Sequence, residues 1–285
     1  MIADTNDPKA LKISLVLADV DGTLVTNDKV LTMRAVAAVK ALQAAGIAFA
    51  ITSGRPPRGM AMLIEPLALE TPIAGFNGGI FVKPDMTIIE DHVLAPDAAR
   101  KALNVILQHD LDAWVYSGND WFVRKREAPH VAREQWTVKF APTVVRGFDD
   151  QLASAVKIVG VSDDLDAVAR CEKDAQEALG KGASAARSQP YYLDVTNPDA
   201  NKGTVAKTLS RWLSIPTAEI ATIGDMPNDV LMFRNSGFSI AMGNASPDVQ
   251  AQADVVTASY NDEGFAKAME HFILHRAASS LPVAP

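Results

Sequence analysis

Two acidic residues follow directly on an apolar run near the start of the chain. The segment ISLVLADVDGTL places Asp19 and Asp21 two positions apart, so in an extended chain both side chains point to the same side. Two carboxylates held that close repel each other, and either a cation lies between them or one keeps a proton. Both arrangements serve phosphoryl transfer. The alternative is an Asp–Gly turn that only ends a strand. An EF-hand calcium loop is excluded, because it needs glycine at position six and glutamate at position twelve, where this segment has Gly22 fourth and Val30 twelfth.

Two further segments carry groups that bind anions. In ITSGR, Ser53 supplies a hydroxyl, Gly54 lets backbone N–H groups approach a ligand, and Arg55 supplies a guanidinium, each of which could bind phosphate. In NKGT, Lys202 begins a predicted helix, whose dipole favours an anion at that end. Taken alone, a surface lysine is the simpler interpretation of Lys202.

A fourth segment, IGDMPND, also ends an apolar run with acids. It supplies Asp225, Asn228 and Asp229, and the alternative is a helix start that Asp225 or Asn228 caps. In open parallel sheets ligands bind outside the carboxyl ends of the strands, which is where Asp19 and Asp21 follow the first predicted strand.

The elements that must position these residues alternate along the chain. Residues 13–18 form a continuous apolar run typical of a strand covered on both faces, and residues 32–45 are predicted to form a helix with Thr32 as N-cap. A second apolar run follows at 47–51. This order predicts a parallel βαβ unit with a right-handed crossover.

The middle of the chain has a different pattern. It holds the strand candidates DAWVYS, WFVRK, AVKIVGV and ASAARS, with helices predicted before and among them, before the strand–helix alternation returns. We therefore predict an α/β fold: a doubly wound, mostly parallel core formed by residues 1–84 and 191–285, with an α+β domain of residues 85–190 inserted in it.

Composition favours small-molecule chemistry. The formal net charge is −7, the pI is near 5.3, and no block of lysine or arginine suggests nucleic acid or an anionic membrane as a partner. A single cysteine, Cys171, indicates a reducing compartment. The first twelve residues lack the pattern of a secretion signal and no apolar run is long enough to span a membrane, so we expect a cytoplasmic protein, a monomer or small homo-oligomer.

Together, the four segments resemble those of the haloacid dehalogenase-like hydrolase superfamily, most closely its Cof-like sugar-phosphatase branch. DVDGTL is similar to the first motif of that family, TSGR to the second, the lysine of NKG to the third, and GDMPND to the fourth. Asn77 lies in a segment, NGG, that resembles the family's NGA turn. The long insertion between the second and third motifs is where that branch carries an α/β cap.

The resemblance implies a mechanism. Asp19 would be the nucleophile that forms an aspartyl-phosphate, and Asp21 the general acid and base. Mg²⁺ would bind the Asp19 carboxylate, the Asp21 backbone carbonyl and Asp225. Ser53 and Lys202 would hold the phosphoryl oxygens.

Other roles stay open at this stage. Asn228, Gly54 and Asn77 are expected on the substrate side of the site, Asp229 could ligate the metal or orient Lys202, and Arg55 could bind substrate or form a structural salt bridge. The cap has an aromatic and basic cluster that could be a sugar-binding face or cap core: Trp114, Tyr116, Trp121, Phe122, Arg124, Lys125 and Arg126. The leading hypothesis is a Mg²⁺-dependent phosphatase of a sugar or polyol phosphate. The alternatives are a phosphomutase of the same superfamily and a non-catalytic phosphate-binding regulatory protein.

Overall fold

The computed structural model describes residues 12–275, so the prediction about a secretion signal concerns residues that lie almost entirely outside it. Its strands are β1 (Leu15–Asp19), β2 (Ala48–Thr52), β3 (Ile73–Gly75), β4 (Ile80–Val82), β5 (Ile88–Asp91), β6 (Asp112–Ser117), β7 (Asp120–Val123), β8 (Thr143–Val144), β9 (Ala155–Val161), β10 (Ser184–Gln189), β11 (Tyr192–Thr196), β12 (Ile220–Gly224), β13 (Phe238–Ala241) and β14 (Val255–Val256). Its α-helices are α1 (Met33–Ala44), α2 (Pro96–Gln108), α3 (Val131–Val138), α4 (Asp149–Leu152), α5 (Leu165–Leu179), α6 (Lys202–Leu213), α7 (Val230–Phe233), α8 (Pro247–Gln250) and α9 (Gly264–Ala268), the last continuing as a π-helix over Met269–Leu274.

These elements form two compact units. Within the described residues, the first unit comprises Leu63–Pro72 and the parts of Met1–Thr52 and Lys202–Pro285 that lie between residues 12 and 275, and the second comprises Ser53–Met62 and Ile73–Asn201. The α/β fold class with a mostly parallel sheet is confirmed. The domain limits at residues 84 and 190 stay a prediction.

The first unit contains a five-stranded parallel sheet in the order β14-β13-β12-β1-β2. Every residue of β1 and β12 is buried, as their continuous apolar runs predict for central strands covered on both faces. Asp19 is the last residue of β1 and lies in register with Thr52 at the end of β2. The sheet therefore presents the carboxyl ends of its central strands at one edge.

Helix α1 shows why local sequence sufficed for this unit. The side chain of Thr32 accepts a hydrogen bond of 3.1 Å from the N–H of Ala35, so the predicted N-cap is confirmed. The helix covers the sheet through Ala35, Ala38, Val39 and Leu42, which recur at helical spacing and are buried.

The second unit contains the antiparallel strands β3, β4 and β5 and a separate six-stranded sheet in the order β10-β11-β9-β6-β7-β8. Helices α2 and α5 cover one face of that sheet, through a core that includes Ala102, Ile106, Val168 and Cys171. Strand β11 and helix α3 were not among the predicted elements. Strand β11 alternates apolar and polar residues over only five positions, too short a run to separate from a loop by pattern alone.

Between residues 12 and 275, no helix combines the length and the apolar character that crossing a membrane would require.

Candidate active site

Lys202 lies at the centre of the acidic residues of the first unit. It is the first residue of α6, and its Nζ donates hydrogen bonds to Oδ1 of Asp19 and to Oδ1 of Asp229. The exposed fraction is 2% for Lys202, 5% for Asp19 and 0% for Asp229. The surface-lysine interpretation is therefore wrong: the ammonium group is buried between two carboxylates.

The sheet brings these residues together from distant parts of the chain. Asp19 ends β1, and Asp225 follows the last residue of β12, which is the parallel neighbour of β1. Because parallel neighbours end at the same edge, residues 206 positions apart share one site.

Asp229 holds the turn that carries the fourth motif. Its Oδ2 accepts hydrogen bonds from the backbone N–H groups of Asp225 (2.9 Å) and Met226 (2.8 Å), while its Oδ1 accepts from Lys202. The side chain that caps this turn is thus Asp229, which binds the N–H groups of residues before it. Among the contacts described, the Asp225 side chain makes no hydrogen bond to the backbone of the turn. Asn228 is exposed within the 3₁₀ turn Pro227–Asp229.

Two residues that sequence reasoning missed hold the Asp225 carboxylate. Thr23 donates to its Oδ1 over 3.2 Å, and Nδ2 of Asn244 donates to its Oδ2 over 3.1 Å. Asn244 also donates to the carbonyl oxygen of Gly22 over 3.0 Å. A signal for Asn244 was present, because it follows a further apolar strand, β13, which is the parallel neighbour of β12.

Gly22 is required by the close approach of this carboxylate. Its φ is +83°, and a Cβ placed on it would lie 2.5 Å from Oδ2 of Asp225. Any other residue would be strained in this left-handed conformation and would also displace the acid.

Asp19 and Asp225 are held in an environment that resists their ionisation. Burial raises the pKa of Asp19 well above its usual range, and the charges of Asp229 and Asp225 add to that effect against the opposing influence of Lys202. Burial, followed by the charge of Asp229, raises the pKa of Asp225 to about 6. For Lys202 burial works downward, but the neighbouring carboxylates of Asp19 and Asp229 dominate and raise its pKa.

The surplus of negative charge forms a set of oxygen ligands. Carboxylate oxygens of Asp19, Asp225 and Asp229 lie within 4.8 Å of one another, and among the described residues they face one ammonium group, that of Lys202. All the donors are hard oxygens, which suits Mg²⁺ or a similar divalent cation rather than a soft metal. These residues therefore fit a metal, and binding one would relieve the repulsion that raises the pKa values of Asp19 and Asp225.

Asp21 has a partner that the sequence did not reveal. Its Oδ1 lies 2.7 Å from Nζ of Lys29, and the side chains of Asp21 and Lys29 are 29% and 16% exposed. Lys29 lies in a turn with a positive φ of 62°, and its N–H donates to the carbonyl oxygen of Thr26 over 2.9 Å.

The remaining predicted site residues belong to the second unit. Ser53 is 2% exposed and its Oγ accepts a 3.2 Å hydrogen bond from the N–H of Arg55. Arg55 is 4% exposed and donates through Nη1 to the carbonyl oxygen of Gly59 over 3.1 Å, so it has at least one structural role. The N–H of Asn77 donates to the carbonyl oxygen of Ser53 over 2.7 Å, and Gly54 lies beside the Asn77 side chain.

The aromatic residues of the second unit are mainly core. Trp114, Tyr116 and Trp121 are at most 1% exposed and belong to one apolar cluster, with the rings of Trp114 and Trp121 5.3 Å apart. These three residues do not form an open sugar-binding face, because they pack against one another.

A family model described as haloacid dehalogenase-like hydrolase matches residues 16–269, which includes all four motifs. The chain belongs to the haloacid dehalogenase-like hydrolase family. The predicted family and the prediction of a hydrolytic enzyme are thereby confirmed.

Relatives of this hydrolase cover nearly the whole chain. A 5-amino-6-(5-phospho-D-ribitylamino)uracil phosphatase of Bacillus subtilis is 24% identical, over 92% of this chain and 96% of its own length. The crystal structure of a haloacid dehalogenase-like hydrolase from Bacteroides thetaiotaomicron has a TM-score of 0.85 at 25% identity and covers 92% of this chain and 100% of its own. A subclass IIB sugar phosphatase of the superfamily has a TM-score of 0.78 at 23% identity, covering 92% of this chain and 99% of its own, and so shares the fold.

Proposed function

We propose that this hydrolase is a Mg²⁺-dependent phosphatase that releases phosphate from a small sugar or polyol phosphate through an aspartyl-phosphate on Asp19. The observation that carries the proposal is the buried contact of Asp19 with Lys202 beside Asp225 and Asp229. A carboxylate nucleophile, a fixed ammonium group and spare oxygen ligands are the parts that phosphoryl transfer needs.

In the first step, a carboxylate oxygen of Asp19 attacks phosphorus as the bond from phosphorus to the leaving oxygen breaks. Asp21 gives its proton to that oxygen, so the leaving group departs as a neutral alcohol. Lys202 offsets negative charge on the phosphoryl oxygens, and Asp229 fixes the direction of Lys202 through Oδ1.

In the second step, water attacks phosphorus, the bond to the Asp19 oxygen breaks, and Asp21 takes the proton from the water. The contact of Asp21 with Lys29 fits the interval between the two steps, when Asp21 is ionised and ready to accept that proton.

Asp19, Asp225 and the backbone carbonyl of Asp21 would hold the Mg²⁺, and Asp229 would support them by fixing the turn that carries Asp225. When bound, the cation supplies positive charge that keeps Asp19 ionised and offsets charge on the transferred group. Thr23 and Asn244 orient the Asp225 carboxylate and so act on the metal through it.

Ser53, Gly54, Arg55, Asn77 and Asn228 are proposed on the substrate side. The buried hydroxyl of Ser53 and the backbone of Gly54 suit phosphate. The relatives support the substrate class, since one is named for a ribityl phosphate and another as a sugar phosphatase. We expect the substrate to be a free small molecule in the cytoplasm, with no nucleic-acid or membrane partner.

The test is release of inorganic phosphate from sugar phosphates, polyol phosphates, nucleotides and an aryl phosphate, with Mg²⁺ and with chelator. We expect chelator-sensitive release from one chemical class. Asp19→Asn should abolish turnover, by at least about a thousandfold, with the fold intact by circular dichroism. An active Asp19→Asn enzyme would overturn the covalent mechanism, whereas isomer formation without net release of phosphate would favour a mutase.

A further inference from the structure

Helices α2 and α5 cover one face of the six-stranded sheet of the second unit, and α3 packs against part of the other face through Val131 and Val138. Leu193 and Val195 of β11 point into the core beneath α2 and α5, so Tyr192 and Asp194 between and beside them point to the opposite face. That opposite face also carries Trp114 and Tyr116 of β6. Lys157 of β9, which pairs with Tyr116 in register, lies on the same face.

A polar cluster lies on this face, formed by Lys157, Asp194, Glu134 and Tyr192. Nζ of Lys157 lies 2.8 Å from Oδ2 of Asp194, and the hydroxyl of Tyr116 donates to Oε1 of Glu134 over 2.6 Å. The side chains of Lys157 and Asp194 are 13% and 18% exposed, so the cluster is recessed without being sealed.

Two polar atoms of the cluster lack partners among the described residues. They are Oδ1 of Asp194 and the hydroxyl of Tyr192, and both are buried. Leaving a buried polar atom without a hydrogen bond is costly, so such atoms are expected where a ligand or an ordered water completes the site.

The chemistry of the cluster selects the ligand. The cluster has one cationic side chain, Lys157, and two acidic ones, Asp194 and Glu134, so a second phosphate would meet the two acids and be repelled. An aryl or alkyl group would leave Asp194 and Tyr192 unpaired. A hydroxyl group both donates and accepts, and so can pair with the carboxylate of Asp194 and with the hydroxyl of Tyr192.

The cluster is joined to the phosphate-binding candidates of the same unit. The ring of Tyr116 packs edge-on against Phe76 at 5.1 Å, and the next residue, Asn77, donates to the carbonyl oxygen of Ser53. Burial raises the pKa of Glu134, while the charges of Lys157 and Arg55 lower it, which places Arg55 near the cluster as well. Contacts between neighbouring residues thus run from Ser53 through Asn77 and Phe76 to Tyr116, which donates a hydrogen bond to Glu134 of the cluster.

We propose that Asp194, Tyr192 and Lys157 are specificity-determining residues that bind adjacent hydroxyl groups of the leaving alcohol. This inference rests on the proposed phosphatase function. It makes the enzyme selective for polyhydroxylated phosphates over alkyl phosphates of equal length, because alkyl groups leave buried polar atoms unpaired.

The test compares matched substrates, namely alditol phosphates of three to six carbons and the unbranched alkyl phosphates of the same lengths. The quantity measured is the ratio of kcat/KM for the best alditol phosphate to kcat/KM for its alkyl counterpart. Tyr192→Phe removes one hydroxyl that has no described partner, so its melting temperature should not fall, yet the ratio should drop roughly five- to tenfold. Asp194→Asn should lower the ratio by about ten- to a hundredfold.

Two control variants match these changes. Tyr191→Phe removes the hydroxyl of the neighbouring residue. Glu172→Gln breaks the 2.8 Å ion pair of Glu172 with Arg187, and the Glu172 side chain is 20% exposed, a fraction similar to that of Asp194. Both should keep the wild-type ratio.

The outcomes separate the two proposals. Phosphate release from alditol phosphates by the wild type, with an unchanged ratio in Tyr192→Phe and Asp194→Asn, would overturn the specificity role and leave the phosphatase standing. A wild-type ratio near one would do the same, showing that water alone completes the cluster. If the wild type released phosphate from no substrate of any class, the phosphatase proposal itself would fall, and the specificity role with it.

Discussion

Each unit contains a lysine paired with carboxylates, Lys202 in the first and Lys157 in the second, but the charge around them differs. Lys202 faces Asp19 and Asp229, with Asp225 nearby, and all are almost fully buried. Lys157 pairs with Asp194 in a recessed, partly exposed cluster.

The difference separates two kinds of site. Buried carboxylates in excess are costly without a further cation, so the charge of the first cluster fits the metal and the nucleophile proposed for it. In the second cluster the charges of Lys157 and the nearby Arg55 oppose those of Asp194 and Glu134, and two buried polar atoms lack hydrogen bonds among the described residues. One arrangement therefore calls for a charged ligand and the other for a neutral, hydroxylated one.

Replacing Lys202, the ammonium group of the first cluster, should have the largest effect on stability and turnover. Lys202→Met leaves the Asp19 and Asp229 carboxylates without their buried partner, and in chelator we expect a loss of about 3–5 kcal/mol in the free energy of unfolding by urea. Turnover with Mg²⁺ should fall by about a hundredfold or more, because Lys202 no longer offsets phosphoryl charge. Lys207→Met, at an exposed position of the same helix α6, is the matched control and should change neither quantity appreciably. Similar losses in both variants would mean that the charge of Lys202 is not what matters.

The excess negative charge should also give the metal-free protein a distinctive pH dependence. The pKa of Asp225 is raised from 3.8 to about 6 in the folded protein, so folding favours its protonated form. Its contribution to stability is therefore present below pH 4 and lost as the pH rises through 6, by roughly 3 kcal/mol for a shift of this size. In chelator, the free energy of unfolding should fall less between pH 4.5 and 7.5 in Asp225→Asn than in the wild type.

Saturating Mg²⁺ should reverse that dependence, because the cation binds ionised carboxylates and its affinity rises with pH. The exposed Asp248 offers a control, and Asp248→Asn should keep the wild-type slope. An identical slope in Asp225→Asn and wild type would show that Asp225 does not carry the excess charge.

The two units also differ in how much of their structure could be predicted from the sequence. The parallel core was predictable because continuous apolar runs, a helix cap and four polar segments each have a local signature, and helix α6 begins at Lys202 as predicted. Periodicity does not encode contacts between residues that are remote in sequence. It therefore did not predict the burial of Lys202, the contact of Lys29 with Asp21 or the hydrogen bond from Asn244 to Asp225.

In the second unit, the sequence could not separate aromatic core from binding face, since both use the same residue types. In the structure both lie on one face of the sheet, where Trp114 of β6 is packed among other rings and Asp194 of β11 is partly exposed. The residues of a strand are enough to predict that it is a strand. Its register against a neighbouring strand decides on which face of the sheet each side chain lies.

The smallest expected effect tests whether the charge of Glu134 in the second cluster is compensated by its neighbours. Burial raises the pKa of Glu134, so its contribution to stability is lost as the pH rises through that raised value, and Glu134→Gln should gain stability relative to wild type between pH 4.5 and 7.5. The gain should stay below roughly 1 kcal/mol, since Lys157 and Arg55 compensate the charge and the glutamine oxygen still accepts from Tyr116. Urea unfolding at the two pH values measures it, with the exposed Glu127→Gln as the control. A change as large as that expected for Asp225 would mean that Glu134 carries uncompensated charge, and the second cluster would then call for a cationic ligand in place of a neutral one.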